Sequence, residues 1–276
     1  MVAMTLPTPA RLAPGEGRLA VARGPRGSAV ERAIATSPLK LLAPKNHGGA
    51  AWIFVATYGG GLVDGDRIAL AADVGDGADL VLSTQASTKV YRSPRGCSQQ
   101  LTTRVGAGGL FAALPAPVVC FAGARYRQDA AIELAAGASL VWLDGMTAGR
   151  AARGERWAFA SYRSRLCVAV GGAAVIDDAL ALDPAHGPLL DRMGRFDALA
   201  TIVAIGPRAG AVARDLLAVP APSRRRDDLL VAASPVDGGA LVRIAGVSAE
   251  RVARAARGLL TGVLDLLGDD PFRAAL

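Results

Sequence analysis

Short apolar runs of strand length recur through the central half of the chain, each broken by a glycine-centred polar turn. Val74-Gly75-Asp76-Gly77-Ala78-Asp79-Leu80-Val81-Leu82 is echoed by Val105-Gly106-Ala107-Gly108-Gly109-Leu110-Phe111-Ala112-Ala113. A third copy is Leu134-Ala135-Ala136-Gly137-Ala138-Ser139-Leu140-Val141-Trp142. The marker glycines Gly77, Gly108 and Gly137 stand 31 and 29 residues apart, and Gly171-Gly172 centres a looser fourth copy. Each copy reads as strand, tight turn, strand. A period near 30 with no helical pattern between the strands points to stacked β layers rather than a doubly wound sheet. One such unit cannot bury both faces alone, and stacking buries them. Most of these glycines are therefore turn residues, not ligand cradles.

The pattern changes after about residue 205. Residues 208–218 have helical spacing and stop before Pro220. Residues 248–267 make the strongest helical pattern, with Ser248 as N-cap, Glu250 in the first turn and Gly268 as stop. Val252, Ala255, Leu259, Val263 and Leu266 share one face of it. Residues 229–233 and 240–244 read as strands joined by a Pro-Val-Asp-Gly-Gly turn, and residues 220–228 as a loop. The expected fold is mainly β: stacked, β-helix-like layers with two α-helices in the C-terminal half. Residues 1–14 read as a disordered tail and 15–276 as a single domain.

Composition adjusts this picture modestly. Half the residues are apolar but only 5% are aromatic, so Ala, Val and Leu build the core. No apolar run approaches the ~20 residues of a membrane-spanning helix, and the N-terminus has no signal-peptide pattern. The net charge is +7, with Lys40, Lys45 and Lys89 the only lysines. The arginines are scattered, and Arg224-Arg225-Arg226 runs straight into Asp227-Asp228, so nucleic acid is not the expected partner. Three cysteines with no close pair fit a reducing, cytoplasmic setting. Cys120 and Cys167 read as small core residues, and Cys97, in a Pro/Arg/Gly turn, as more exposed.

Most signatures of catalysis and ligand binding are missing from the sequence. Gly-Lys never occurs, so there is no Walker A loop. Gly59, Gly61 and Gly65 faintly resemble a dinucleotide fingerprint but run into a strand, where pyrophosphate binding needs a helix N-terminus. His47 and His186 sit in loops with no nucleophile elbow nearby. A metal would have to meet carboxylates such as Asp64, Asp66, Asp73 or Asp144, with modest affinity and fast exchange. Asp177 and Asp178 are adjacent on a strand and point to opposite faces. Asp64 and Asp66 could share a face, which leaves a β-solenoid polysaccharide hydrolase as the alternative function. The scarcity of Trp and Tyr argues against a sugar-stacking groove.

The most informative stretch is Thr84-Gln85-Ala86-Ser87-Thr88-Lys89-Val90-Tyr91-Arg92-Ser93. It follows an apolar strand directly, so it presents hydrogen-bonding groups on a β scaffold. Gly59-Gly60-Gly61-Leu62-Val63-Asp64-Gly65-Asp66 lies just upstream. A buried Lys89 or Arg92 would need an acidic companion, expected to be Asp64 or Asp66.

These segments, with Phe121-Ala122-Gly123-Ala124-Arg125-Tyr126-Arg127-Gln128, Gly149-Arg150, Gly154-Glu155 and Phe159, form an ordered set. In order and spacing the set resembles the UreD/UreH urease accessory protein family, from about residue 15 to the C-terminal helix. Asp64 departs from it, standing where the family more often has a small residue. The resemblance implies a non-enzymatic, β-rich maturation chaperone with two helices. It implies partnership with UreF, with the GTPase UreG through UreF, and with apo-urease. Nickel would be delivered to the urease site, with an internal passage proposed for this subunit and no cofactor held stably beyond transient nickel. GTP binding by UreG fits the missing Walker A loop. Candidates for lining that passage or gripping a partner are Gly60, Gly61, Asp64, Gly65, Asp66, Arg67, Thr84, Gln85, Thr88, Lys89, Tyr91, Arg92, Arg125 and Tyr126.

Overall fold

A computed structural model describes residues 12–45, 48–219 and 226–272 of the chain. The chain enters through a hairpin of β1 (Glu16–Gly24) and β2 (Gly27–Ala35), then β3 (Leu39–Leu42) and β4 (Ala51–Thr57). Three coils follow, matching the repeat. The first holds β5 (Arg67–Val74), β6 (Asp79–Thr84) and β7 (Thr88–Val90). The second holds β8 (Cys97–Val105), β9 (Leu110–Ala113) and β10 (Val118–Cys120), and the third β11 (Arg125–Leu134) and β12 (Ser139–Thr147).

Equivalent strands pair in parallel, so β5, β8 and β11 build one sheet while β6, β9 and β12 build a second. A narrow third row joins β7, β10 and the end of β12 through Thr88, Val118 and Met146. Gly77, Gly108 and Gly137 turn the chain from the first sheet to the second with φ of 63°, 68° and 78°, which glycine adopts without strain. Neighbouring turns are bonded to each other. The Gly77 N–H donates to the Ala107 carbonyl at 2.9 Å, and the Ala107 N–H donates to Asp76 Oδ1 at 2.8 Å.

A small ribbon, β13 (Gly149–Arg150) and β14 (Glu155–Arg156), leads into β15 (Ser161–Val170) and β16 (Ala173–Leu182). The fourth glycine copy differs from the others here. Gly171-Gly172 closes an antiparallel hairpin between β15 and β16 within the first sheet, so it ends the coiling instead of continuing it. The chain then adds β17 (Ala198–Ile205), β18 (Leu229–Val236) and β19 (Gly239–Gly246) antiparallel to the second sheet. Strand β18 runs past the expected residue 233 and through Pro235, which an edge strand tolerates because its outer N–H groups need no partner.

Four α-helices stand among the described residues, where two were expected: α1 (Leu189–Met193), α2 (Gly210–Leu217), α3 (Ala249–Leu259) and α4 (Gly262–Leu267). Helix α1 is only five residues long, too short for a periodic signal. The helix expected over 248–267 breaks at Leu260 and Thr261, where φ and ψ at Leu260 reach −106° and 19°. The break lets Leu260 and Val263 both reach the core, where both are fully buried. Ser248 caps α3 as expected, its hydroxyl accepting from the Arg251 N–H at 3.3 Å. Ser248→Ala is expected to destabilise the protein by about 1 kcal/mol, measurable as a lowered urea midpoint at unchanged slope.

Burial follows from this layering. Leu80 and Leu82 point between the sheets with Phe111, Leu140, Trp142 and Ile132. Val81 points the other way, against Val212 and Leu216 of α2 and Val252 of α3. The second sheet is thus covered on both faces, and its strands read as continuous apolar runs. The first sheet keeps one face in solvent, and its strands alternate. A third apolar cluster, including Leu62, Val90, Val118, Tyr126 and Met146, lies under the third row. Cys97 is buried, contrary to the expectation from its turn-like surroundings. It opens β8 facing inward, its sulfur 3.6 Å from Ser93 Oγ and from the Arg125 carbonyl oxygen. Cys120 is buried and Cys167 only partly so, on the strand next to the sheet edge.

Residues 1–11 of the expected tail, His47, and residues 220–225 of the expected loop, with Arg224 and Arg225, lie outside the described residues.

Candidate functional site

Leu62 and Val90 form a parallel bridge that ties the glycine loop to the polar stretch. The Leu62 N–H donates to the Lys89 carbonyl at 2.8 Å, and the Tyr91 N–H donates to the Leu62 carbonyl at 2.9 Å. Gly61 is required at this crossing. A Cβ there would sit 2.6 Å from the Lys89 carbonyl oxygen and 2.8 Å from the Tyr91 ring.

The fourteen candidates then divide between surface and interior. On the surface, Gly60, Gly65, Arg67, Gln85, Lys89, Arg92 and Arg125 are exposed. Lys89 and Arg92 are therefore not buried cations in need of a companion. Asp64 instead pairs with Arg95 at 2.8 Å and accepts the Arg95 N–H at 2.7 Å, which holds its carboxyl below the usual range. Gly65 leaves room for that guanidinium, 3.0 Å from where a Cβ would stand. Asp66 accepts the Val63 N–H at 2.8 Å and closes its own loop. Both carboxylates hold the loop in shape. Tyr91 meets Phe121 edge-on at 5.2 Å, and the Arg150 guanidinium lies 4.2 Å over the far ring. Glu155 pairs with Arg150, which lowers the Glu155 pKa, and accepts the Ala122 N–H at 3.2 Å. Exposed Tyr58 and Val63 lie in the adjoining segment, with Lys40 5.6 Å over the Tyr58 ring. This surface thus carries a Tyr91–Phe121 ring pair with a guanidinium over it, and a separate exposed Tyr58 beneath Lys40.

Thr84 and Thr88 face the interior, where the second sheet is interrupted. Strand β12 pairs with β9 from Ser139 to Trp142 and with β10 from Met146 to Thr147. Between those stretches it faces Leu114-Pro115-Ala116-Pro117, whose prolines have no N–H to offer a ladder. Side chains stitch the gap instead. The Ala116 N–H donates to Thr84 Oγ1 at 2.9 Å, and the Ser83 hydroxyl donates to the Leu114 carbonyl at 2.7 Å.

A cavity of about 160 Å³ lies on the inner side of this gap. A second of about 210 Å³ lies on the outer side, beneath α3 and Phe272. Ser83, Thr84, Pro115, Ala116, Gly145 and Met146 line both, so the two lie on either side of the break.

The inner cavity has a polar wall that includes Asp144, Gln128 and Tyr162. Gln128 Nε2 donates to Asp144 Oδ2 at 2.6 Å and to the Tyr162 hydroxyl at 3.1 Å. The buried Tyr126 hydroxyl stands within hydrogen-bonding reach of the Gln128 and Gln99 side-chain oxygens. Burial raises both tyrosines well above their ordinary pKa, so they remain neutral donors. Burial also raises Asp144, to about 6, against the lowering effect of the Gln128 hydrogen bond. The residue shows intermediate exposure because the cavity touches it, while surrounding protein desolvates the carboxyl. It is charged at neutral pH and loses its charge below about 6. No salt bridge reaches it among the described residues. An unpaired buried carboxylate costs stability, which marks it as a functional candidate.

The sequence named Asp144 only among several carboxylates, and it did not single out Gln128, Tyr162 or Gly145. A usable signal was present. Asp144 interrupts the apolar run from Leu140 to Met146, where a strand covered on both faces has no place for a charge. Among the described residues no group of three His, Cys, Asp or Glu side chains could hold a metal ion, and no helix is long and apolar enough to cross a membrane.

A family model described as UreD urease accessory protein matches residues 13–273. A urease accessory protein UreD of Sorangium cellulosum is 59% identical over 94% of this chain and 83% of its own. One of Anaeromyxobacter is 51% identical over 94% of this chain and 88% of its own. A urease accessory protein D of Oryza sativa subsp. indica is 40% identical over 72% and 67%.

Proposed function

The chain belongs to the UreD urease accessory protein family, and on that premise we propose that it is a non-catalytic maturation chaperone that passes nickel through its interior to apo-urease. In this reading UreF docks on the chain and brings the GTPase UreG with it. Nickel is cargo and enters the inner cavity. Asp144 attracts the cation, and the neutral oxygens of Gln128, Thr84 and Thr88 replace part of its water shell. A single carboxylate among neutral oxygens gives weak, rapidly exchanging contact, which suits transit. The ion leaves across the break in the second sheet toward the cavity under α3. The reading rests above all on two cavities that share the lining of that break, with one carboxylate free of any ion pair among the described residues beside it.

Exposed Tyr58, the Tyr91–Phe121 pair and the exposed cations Lys89, Arg92 and Arg125 suit a partner face that is acidic and apolar. Three free cysteines accord with work in the reducing cytoplasm. The hydrolase alternative loses its footing, because Asp64 and Asp66 are engaged in fixing the loop.

Lys89 tests the contact role. Its side chain is exposed, and only its backbone takes part in the bridge to Leu62. Lys89→Ala is expected to shift stability by less than ~0.5 kcal/mol while lowering urease activation several-fold. Thermal melting and an activation assay with UreF, UreG and apo-urease are the two measurements. Parental activation by a fully folded variant would remove Lys89 from the interface.

A further inference from the structure

The inner cavity has a side where the two sheets are not bonded to each other, between edge strand β16 of the first and β19 of the second, which is followed outward by edge strand β18. Among the described residues one ion pair spans it. The Arg243 guanidinium on β19 reaches the Asp178 carboxylate on β16, and both residues line the cavity. The Arg243 side chain is 53% exposed and that of Asp178 only 19%. The arginine therefore lies on the solvent side and is free to swing outward, while the aspartate belongs to the mouth. Behind the pair, register fixes a path. Arg243 is opposite Thr201, and Thr201 is opposite Asp144 on the next strand. Directly opposed residues share a face of the sheet, so this row leads inward from Arg243, one strand in from the edge, to the buried carboxylate. Asp178 is near enough for its charge to help raise the Asp144 pKa, after the larger effect of burial.

We infer that the Arg243–Asp178 pair is a latch across the cavity mouth, opened when an acidic side chain of a docking protein takes Arg243, whereupon the freed Asp178 carboxylate meets the entering divalent cation. The inference rests on the reading of this cavity as a cation route. While paired, Arg243 neutralises Asp178, the carboxylate at the mouth that would otherwise attract a cation. A carboxylate from outside competes on equal chemical terms, because guanidinium binds either one through the same fork. An exposed pair of this kind is worth at most about 1 kcal/mol, so docking can open it readily. Access and docking are thereby coupled, and nickel is admitted when a recipient is present.

The test uses the full-length chain with Thr201→Cys and Cys167→Ser, so that the new thiol lies inside the mouth. Labelling by cationic ethylammonium methanethiosulfonate and by its neutral methyl analogue is followed by intact mass. Cys97 and Cys120 are buried and serve as internal controls. Arg243→Gln is expected to speed labelling by both reagents about two- to five-fold, the range given by loss of up to about 1 kcal/mol. Arg243→Lys is expected to stay near the parental rate. Asp178→Asn is expected to speed the neutral reagent and to leave the cationic one slower than it, because Arg243 then stands at the mouth without its counter-charge. The exchange of Asp178→Arg with Arg243→Asp is expected to restore slow labelling. A glutamate-rich peptide should accelerate labelling of the parent but not of Arg243→Gln. Equal rates in the parent and Arg243→Gln, at equal melting temperatures, would overturn the latch. So would peptide acceleration that survives Arg243→Gln. These readouts involve no nickel, so the latch can stand if nickel takes another route, and it can fail while nickel delivery holds.

Discussion

Asp144→Asn is expected to give a protein that is folded, more stable at pH 7, and on the order of a hundredfold poorer at supporting urease activation. The stability half follows from linkage. Burial raises the folded-state pKa to about 6 from an ordinary 3.8. The folded state therefore holds this proton more tightly than the unfolded chain, and stability falls as pH rises. The penalty is absent below about 3.8, grows as pH climbs, and is complete above about 6. It amounts to roughly 1–3 kcal/mol at pH 7, the lower figure applying where cavity water shields the charge. Asparagine keeps an oxygen to accept from Gln128 and removes the charge. The variant should therefore melt above the parent at pH 7, with the difference fading toward pH 4. The functional half follows from Coulomb's law. Across a few ångströms at an effective dielectric near 20, a unit charge attracts a cation by several kcal/mol. Loss of ~3 kcal/mol of that attraction in the rate-limiting passage is about a hundredfold. A variant that activates urease normally would take Asp144 out of the route.

Gly106→Ala is expected to destabilise the protein by about 3 kcal/mol, the upper end for overpacking, although the glycine touches no part of the cavity. A Cβ at Gly106 would stand 2.3 Å from Asp76 Oδ1, 2.7 Å from the Asp76 nitrogen and 2.9 Å from the Gly75 carbonyl carbon. Two of those atoms are backbone of the preceding turn and cannot step aside. The turns are spaced by their own hydrogen bonds, so the methyl pries apart the first and second coils. Gly108→Ala provides the contrast. It meets nothing within 4 Å, and its strain comes from φ of 68° alone, so a smaller loss of about 1 kcal/mol is expected. Chemical denaturation of both variants compares the two mechanisms. Equal losses would mean that close stacking of turns is not what Gly106 protects.

Much of the fold was legible because it is repetitive. The glycine spacing marked the turns, and the apolar runs between them marked strands covered on both faces. Irregular features were not legible. Nothing in the Gly171-Gly172 copy distinguishes a hairpin from another coil, since the difference lies in which strand comes next. The break at Leu260 needs the core that Leu260 fills. The candidate site was half visible. Residues 84–93 and 59–66 stood out together by composition, and the Leu62–Val90 bridge joins them. Their partner assignments were not visible, because Arg95 outbid Lys89 for Asp64 through loop geometry alone. The cavity was hidden for a simpler reason. It is made where two prolines stop a ladder, and its polar wall draws single residues from strands far apart in sequence.

The most direct test is nickel loading of urease in a defined mixture. Apo-urease, UreF, UreG, GTP, bicarbonate and nickel are combined with the parental chain, with Asp144→Asn, or with neither, and nickel per urease active site is measured after the complex is separated. The account predicts loaded urease with the parental chain alone. It predicts that Asp144→Asn enters the complex and leaves urease largely empty. Full loading without the chain, or with Asp144→Asn, would contradict it.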